Sequence, residues 1–141
     1  MQQFIKNIIE NEKVFILERN DEEVASIPSV LFTNEFSEAI PVICFWSDEE
    51  LAYKVGNKNW KEYKIYSLCI ASFIEDYLVN IYNESLIVGL DYNEEFEGVE
   101  ADPLDVITLL AQSLKNHTID LEFEYFKNLN DLQNQTTKLL K

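Results

Sequence analysis

Base and nucleophile chemistry has little to work with in this chain. His117 is the only histidine and follows an expected helix end, with no Ser-His-Asp or Cys-His neighbourhood around it. It therefore reads as a residue at a helix C-terminus rather than a general base. Cys44 and Cys69 lie in the apolar segments PVICFW and YSLCIASF. Such surroundings suit small buried hydrophobes better than a disulfide. A thiol near a helix start, as Cys69 would be, can be acidified, but its apolar neighbours argue for burial instead. Gly56, Gly89 and Gly98 stand alone, so no phosphate-cradling loop is encoded. Arg19, the only arginine, reads as the partner of a surplus carboxylate rather than a substrate clamp. No catalytic residue, metal ligand or cofactor is assigned, and an enzyme is not the expectation.

Carboxylates are the abundant chemistry. From Ile65 to Leu114 fifty residues pass without a Lys or Arg while ten acids accumulate, and the whole chain carries a formal charge of -15 on 141 residues. Solubility of a small domain needs only roughly 2 to 8 units of net charge. The stretch DYNEEFEGVEADPLD offers oxygen ligands to a hard cation, but it lacks the D-x-[DN]-x-[DN]-G spacing of a calcium loop, and Phe96 and Val99 interrupt it. Two readings compete with a metal site: a solvated acidic face, and a surface that captures a basic protein partner by complementary charge. The candidate partner-binding residues are Asp91, Glu94, Glu95, Glu97 and Glu100. Nucleic acid is disfavoured as a partner, because 26 acids against 11 basic residues repel phosphate. One local exception is KVGNKNWKEYK, where Lys54, Lys58, Lys61 and Lys64 surround Trp60 and Tyr63. Trp60 reads either as a core residue beneath a solvated loop or as an interface anchor, and it joins the partner-binding candidates. The alternative class is a small-molecule or divalent-metal accessory domain, or an unrecognised enzyme, with a site at strand ends near Trp46, Asp91 and Glu94.

The elements that must position these groups follow from periodicity. Phe4, Ile5, Ile8 and Ile9 recur at helical spacing, and VFILE then reads as a buried strand ending near Arg19. After a polar turn, NDEEVAS, the segments SVLFT and IPVICFW read as strands. Ser47-Asp48-Glu49-Glu50 has the form of a capping box opening a helix to about Val55, with Ser47 as the cap and Gly56 near the end. YKIYS is a strand, and SFIEDYLVNIY a helix with Phe73, Tyr77, Leu78 and Ile81 on one face. SLIVGLDY and GVEA are short strands. Asp102-Pro103 opens a helix to about Lys115 with an apolar face of Leu104, Ile107, Leu110, Ala111 and Leu114. From Ile119 onward Phe123, Phe126, Leu129, Leu132 and Leu139 recur at roughly helical spacing, with Lys138 and Lys141 at the cation-favouring end. Three segments, VICFWSDEELAYKV, KIYSLCIASFIEDYL and GVEADPLDVITLL, each run from an extended piece into an acidic-capped helix, a pattern of repeated βα units. The expected fold is α+β: one domain over 1–141 with a small mixed or antiparallel sheet covered by helices, and residues 119–141 as a C-terminal amphipathic helical extension. The start, MQQFIKNIIENEK, lacks the apolar stretch of a signal peptide, and no run nears the ~18 to 20 apolar residues that span a bilayer. A cytoplasmic protein without membrane partners is expected.

From about Ile40 to Leu114 the chain resembles the domain-of-unknown-function family 2750. The resemblance is carried by Pro41-Val42, Phe45-Trp46, Glu50-Leu51-Ala52, the Trp60 segment, and Ile65 leading to Phe73-Ile74 and Leu78. It continues through Leu86-Ile87-Val88, Gly98-Val99-Glu100 and Pro103-Leu104. Ser47 stands where the family tends to have Pro after the Trp, and the tail from His117 looks like an extension. The resemblance implies bacterial origin, a small single domain and no known catalytic residues. Together with the charge asymmetry it leaves, as the functional expectation, a non-enzymatic interaction module that is immunity- or inhibitor-like.

Overall fold

The apolar run after the first helix is buried on both of its faces, and the rest of the architecture is built around it. The computed structural model describes residues 1–20 and 23–140; the expected turn at 20–26 falls partly, and Lys141 wholly, outside the described residues. Helix α1 (Gln2–Asn11) buries Phe4, Ile5, Ile8 and Ile9, the stripe its spacing picks out. It stops where Glu12 takes a left-handed φ of 57° and donates its N–H to Ile8 O. Strand β1 (Val14–Arg19) then sends Val14 and Ile16 into one core and Phe15 and Leu17 into another, so an unbroken apolar run forms a strand.

Two sheets result. In the first, β1 lies between β2 (Glu23–Val24) and β5 (Lys64–Leu68), all antiparallel. The second has the order β3 (Ser26–Thr33), β4 (Ala39–Phe45), β6 (Ile87–Leu90), β7 (Val99–Ala101), with β4 and β6 parallel and the outer pairs antiparallel. The sheets are stitched together. Phe15 and Trp46 exchange N–H···O bonds of 2.8 and 2.9 Å, while Ala25 donates to Leu17 O and accepts from the Cys44 N–H. The expected βα repeats are therefore not the organising unit: of the three strands concerned, β5 sits in the other sheet and β7 runs antiparallel to β6.

Helices cover this double sheet. Helix α2 (Glu49–Asn59) buries Ala52 and Val55 on the second core, and it continues past the expected end through Gly56, where a Cβ would lie 3.2 Å from Leu17 Cδ2. Its cap is Asp48, which accepts the Glu50 N–H, and not Ser47 as the capping-box pattern implied. Helix α3 (residues 70–83) begins at Ile70, before its acids, and contains a π-helical stretch, Phe73–Leu78. The wider turn buries Ile74 and Glu75 along with Phe73 and Leu78 and leaves Tyr77 half-buried. Helix α4 (Pro103–Asn116) starts as expected, with Pro103 in the first turn and Asp102 accepting the Leu104 N–H at 2.8 Å. Its whole apolar face is buried. The tail differs from the expectation: residues 119–128 are a non-helical strap, and only α5 (Leu129–Leu140) is helical. Helices α1, α3, α4 and α5 thus enclose the larger core, and α2 the smaller one around Trp46 and Trp60. No described helix is long and apolar enough to cross a membrane.

Candidate protein-binding face

Loop 91–98 and the strands beside it hold the acidic candidates, and the fold treats them unequally. Asp91 turns inward at φ 54°. Its two oxygens accept from the Ser47 N–H at 2.7 Å and the Ser47 hydroxyl at 2.8 Å. Ser47 is buried and also accepts from Asn7 Nδ2, so the residue is diverted from the helix cap to tie α1, α2 and the loop together. Burial pushes the Asp91 carboxyl above its ordinary range and the two Ser47 bonds hold it back; nearby Asp48 adds to the rise, and the N-terminal amine opposes it.

Asn93 shapes the next turn. Its side-chain oxygen accepts the N–H groups of Glu95 and Glu97, both at 2.9 Å, and Phe96 adopts φ 60°. Glu95 and Glu97 are exposed and Glu94 half-buried. Phe96 projects between them, half exposed, with its ring 5.8 Å from that of Trp60. Among the described residues the one cation within 4 Å of these acids is Lys58, 3.9 Å from Glu95 and itself exposed. An exposed pair that long does little to cancel the field.

Glu100 is engaged by the other edge of the sheet. Strand β3 bulges between Pro28 and Thr33, and the arm 29–32 leans across so that the Glu100 carboxylate accepts the Ser29 hydroxyl and, at 2.8 Å, the Val30 N–H. Ser29 Oγ in turn accepts the N–H groups of Leu31 and Phe32. This arrangement holds Val30 and Leu31 outward at 88% and 71% exposure, with Val99 also exposed on β7. SVLFT lies within strand β3, as its pattern predicts, but the register shift that turns it into this arm is not part of that expectation. The signal is Pro28, which cannot donate to a ladder, and, after Ser29, three consecutive apolar residues, Val30, Leu31 and Phe32, where a half-buried strand alternates.

Trp60 lies inside, 9% exposed, packed edge-on against Trp46 at 5.9 Å. Phe96, not Trp60, is therefore the aromatic side chain that this loop exposes. Trp46 is fully buried and donates its indole N–H to Tyr92 O at 2.8 Å. The Tyr92 ring fills the space above Gly89, where a Cβ would come within 2.5 Å of it. Burial first, then Glu100 and Cys44, pushes the Tyr92 hydroxyl up to about 12.

The remaining candidates sit apart from one another. Cys44 is buried and its thiol is pushed up to about 12 by desolvation, whereas Cys69 is exposed, contrary to expectation, because it precedes the first turn of α3. Arg19 pairs with Glu23 and Glu62. His117 closes α4 and donates from Nδ1 to Ser113 O at 2.8 Å. No group of three or more His, Cys, Asp or Glu among the described residues is placed to hold a metal ion.

Comparison with known proteins adds one finding. A family described as "Protein of unknown function (DUF2750)" matches residues 1–110. The match takes in α1 and β1, which the resemblance read from sequence omitted, and it stops within α4, before the strap and α5. No curated protein matches the chain.

Proposed function

The chain belongs to the DUF2750 family, and, since that description carries no activity, we propose from geometry that it is a non-enzymatic bacterial protein, cytoplasmic in location, whose acidic face binds a basic protein partner. It acts in the manner of an immunity or inhibitor protein. The observation that carries this reading is the pairing of outward apolar side chains with carboxylates in a held geometry. Phe96 stands among Glu94, Glu95 and Glu97, and Val30 and Leu31 sit on an arm fastened to Glu100. Exposed apolar groups rimmed by charge are what an interface core and its rim require. The acids speed encounter with a basic surface, and the apolar groups then supply contact area that outlasts the encounter. Both loops are tied by side-chain-to-backbone bonds, so little ordering cost remains at binding. Asp91 is a positioning residue for the loop rather than a contact. The unpaired thiols of Cys44 and Cys69 fit a reducing compartment.

The test is capture from a native bacterial lysate at low and high salt, read by mass spectrometry. A stoichiometric basic protein released at high salt is expected. Replacing Glu94, Glu95 and Glu97 by Lys should slow association with it by about tenfold or more. Leu31→Asp should instead speed dissociation. Capture unaffected by salt and by the triple reversal would sink the proposal.

A further inference from the structure

The edge of the first sheet carries a second surface, lysine-rich where the acidic face is not, with Glu49, Glu50 and Glu62 beside the lysines. Among the described residues, strand β5 pairs on one side only, with β1. The direction of its outer groups follows from the ladder. Phe15 directs its N–H and C=O to Trp46, and Leu17 directs its C=O to Ala25, both away from β5. Their partners in register are Ser67 and Ile65. In an antiparallel ladder such opposed residues both face outward, so the N–H and C=O groups of Ile65 and Ser67 point from the free edge. Among the described residues none of these four groups has a backbone or side-chain partner. Ser67 and Tyr66 are exposed, so the edge is not covered.

Other edges are blunted and this one is not. Strand β3 has Pro28 and a bulge, β2 has two residues and β7 three. Strand β5 has five residues with no Pro and no bulge. Beside it, between β5 and α2, two depressions of about 600 and 240 Å³ share Tyr53 and Ile65. Their further lining includes Lys54, Gly56, Tyr63 and Lys64, with Glu49 and Glu50 confined to one of the two. Lys58 and Lys61 are exposed on the same segment. Four of the eleven basic residues of a chain with net charge -15 thus fall within residues 54–64.

We infer that β5 is a docking edge for an extended acidic peptide strand of a partner protein, which pairs with the backbone of Ile65 and Ser67 and lays alternate side chains into the α2–β5 groove. Backbone pairing supplies affinity, and the groove reads every second side chain. Lys54 and Lys64, one lining each depression, select carboxylates, and Glu49 and Glu50 beside Lys54 narrow that preference toward the Lys64 end. A second copy of this chain is a poorer occupant, since it brings the same lysines to the edge, whereas an acidic strand complements them. Apart from Lys58, which lies 3.9 Å from Glu95, the surface shares no residue with the acidic face, so either reading can fail alone.

Two capped peptides of about eight residues test this, one alternating Glu with Val and one alternating Lys with Val. The readout is amide exchange and chemical shift in the labelled full-length chain. The Glu peptide should slow exchange of the Ile65 and Ser67 amides by about tenfold or more, while Tyr66 and Leu68, already bonded to β1, change little. Ser67→Pro removes one outward donor without touching the β1 ladder, and a proline is tolerated where the N–H faces solvent. It should abolish binding. Lys54→Glu with Lys64→Glu should weaken binding by about tenfold with the backbone edge intact. The inference is overturned if the Glu peptide protects neither amide, if the Lys peptide binds equally well, or if the chain alone is a dimer with Ile65 and Ser67 already protected.

Discussion

Asp91 shows how one side chain can be misassigned when only its charge is visible. By type and neighbourhood it belonged with Glu94, Glu95 and Glu97 as a contact residue, yet both of its oxygens bond to Ser47, forty-four positions away. The carboxyl is raised from its ordinary value of 3.8 chiefly by burial. A carboxyl whose pKa is higher folded than unfolded binds its proton more tightly in the native state. Its stabilising contribution is therefore complete below the unfolded value and is lost as pH rises through the folded one. Urea midpoints of the wild type and Asp91→Asn, compared from about pH 4 to about pH 7, should show the wild type losing stability relative to the variant as pH rises. Taking the difference cancels the remaining acids, which are common to both proteins. A parallel pair of curves would mean that burial does not perturb Asp91.

At the scale of elements, side-chain-to-backbone bonds fix the irregular segments. Asn34 and Asn93 build the same five-residue turn: each side-chain oxygen accepts two N–H groups, and the fourth residue, Ser37 or Phe96, takes a positive φ. Both sequences read Asn-Glu-x-x-Glu, so this turn was legible locally. The strap was not. Glu75, buried in the π-helical turn of α3, accepts the backbone N–H groups of Glu124 at 3.0 Å and Tyr125 at 2.9 Å. A carboxylate in the middle of a helix gives no sign from sequence that it will hold a segment fifty residues on. Glu75→Ala leaves both amides without their acceptor and should cost about 1–3 kcal/mol in urea unfolding. The amides of Glu124 and Tyr125 should lose exchange protection first. Glu75→Gln, which keeps an oxygen, should cost less. If Glu75→Ala unfolds like wild type, the strap is held by its apolar residues alone.

At the scale of the molecule, α5 packs in cis. Leu132 and Thr136 are buried, and Leu132, Phe126 and Thr136 line the seam with Val79, Leu104 and Ile107. Removing 119–141 uncovers that seam, at a cost of roughly 3 kcal/mol or more from Leu132 and the half-buried strap residues. The shortened chain should unfold at lower urea and bind an apolar dye, while the number of chains per particle stays the same. A fall in that number would instead assign the helix to self-assembly. By itself the sequence determined the α+β class, helices α1 and α4, the buried strands β1 and β6, and the family resemblance, because periodicity, caps and turn residues act within a few positions. Tertiary structure decided the rest: two stitched sheets in place of βα repeats, Asp48 as the cap of α2, Asp91 turned inward while Glu95 and Glu97 face out, the exposed arm, and the open edge of β5. Each of those depends on which distant N–H or apolar face a residue meets. Residues of the same type then follow different fates according to which partner, dozens of positions away, offers the better hydrogen bond or the drier contact.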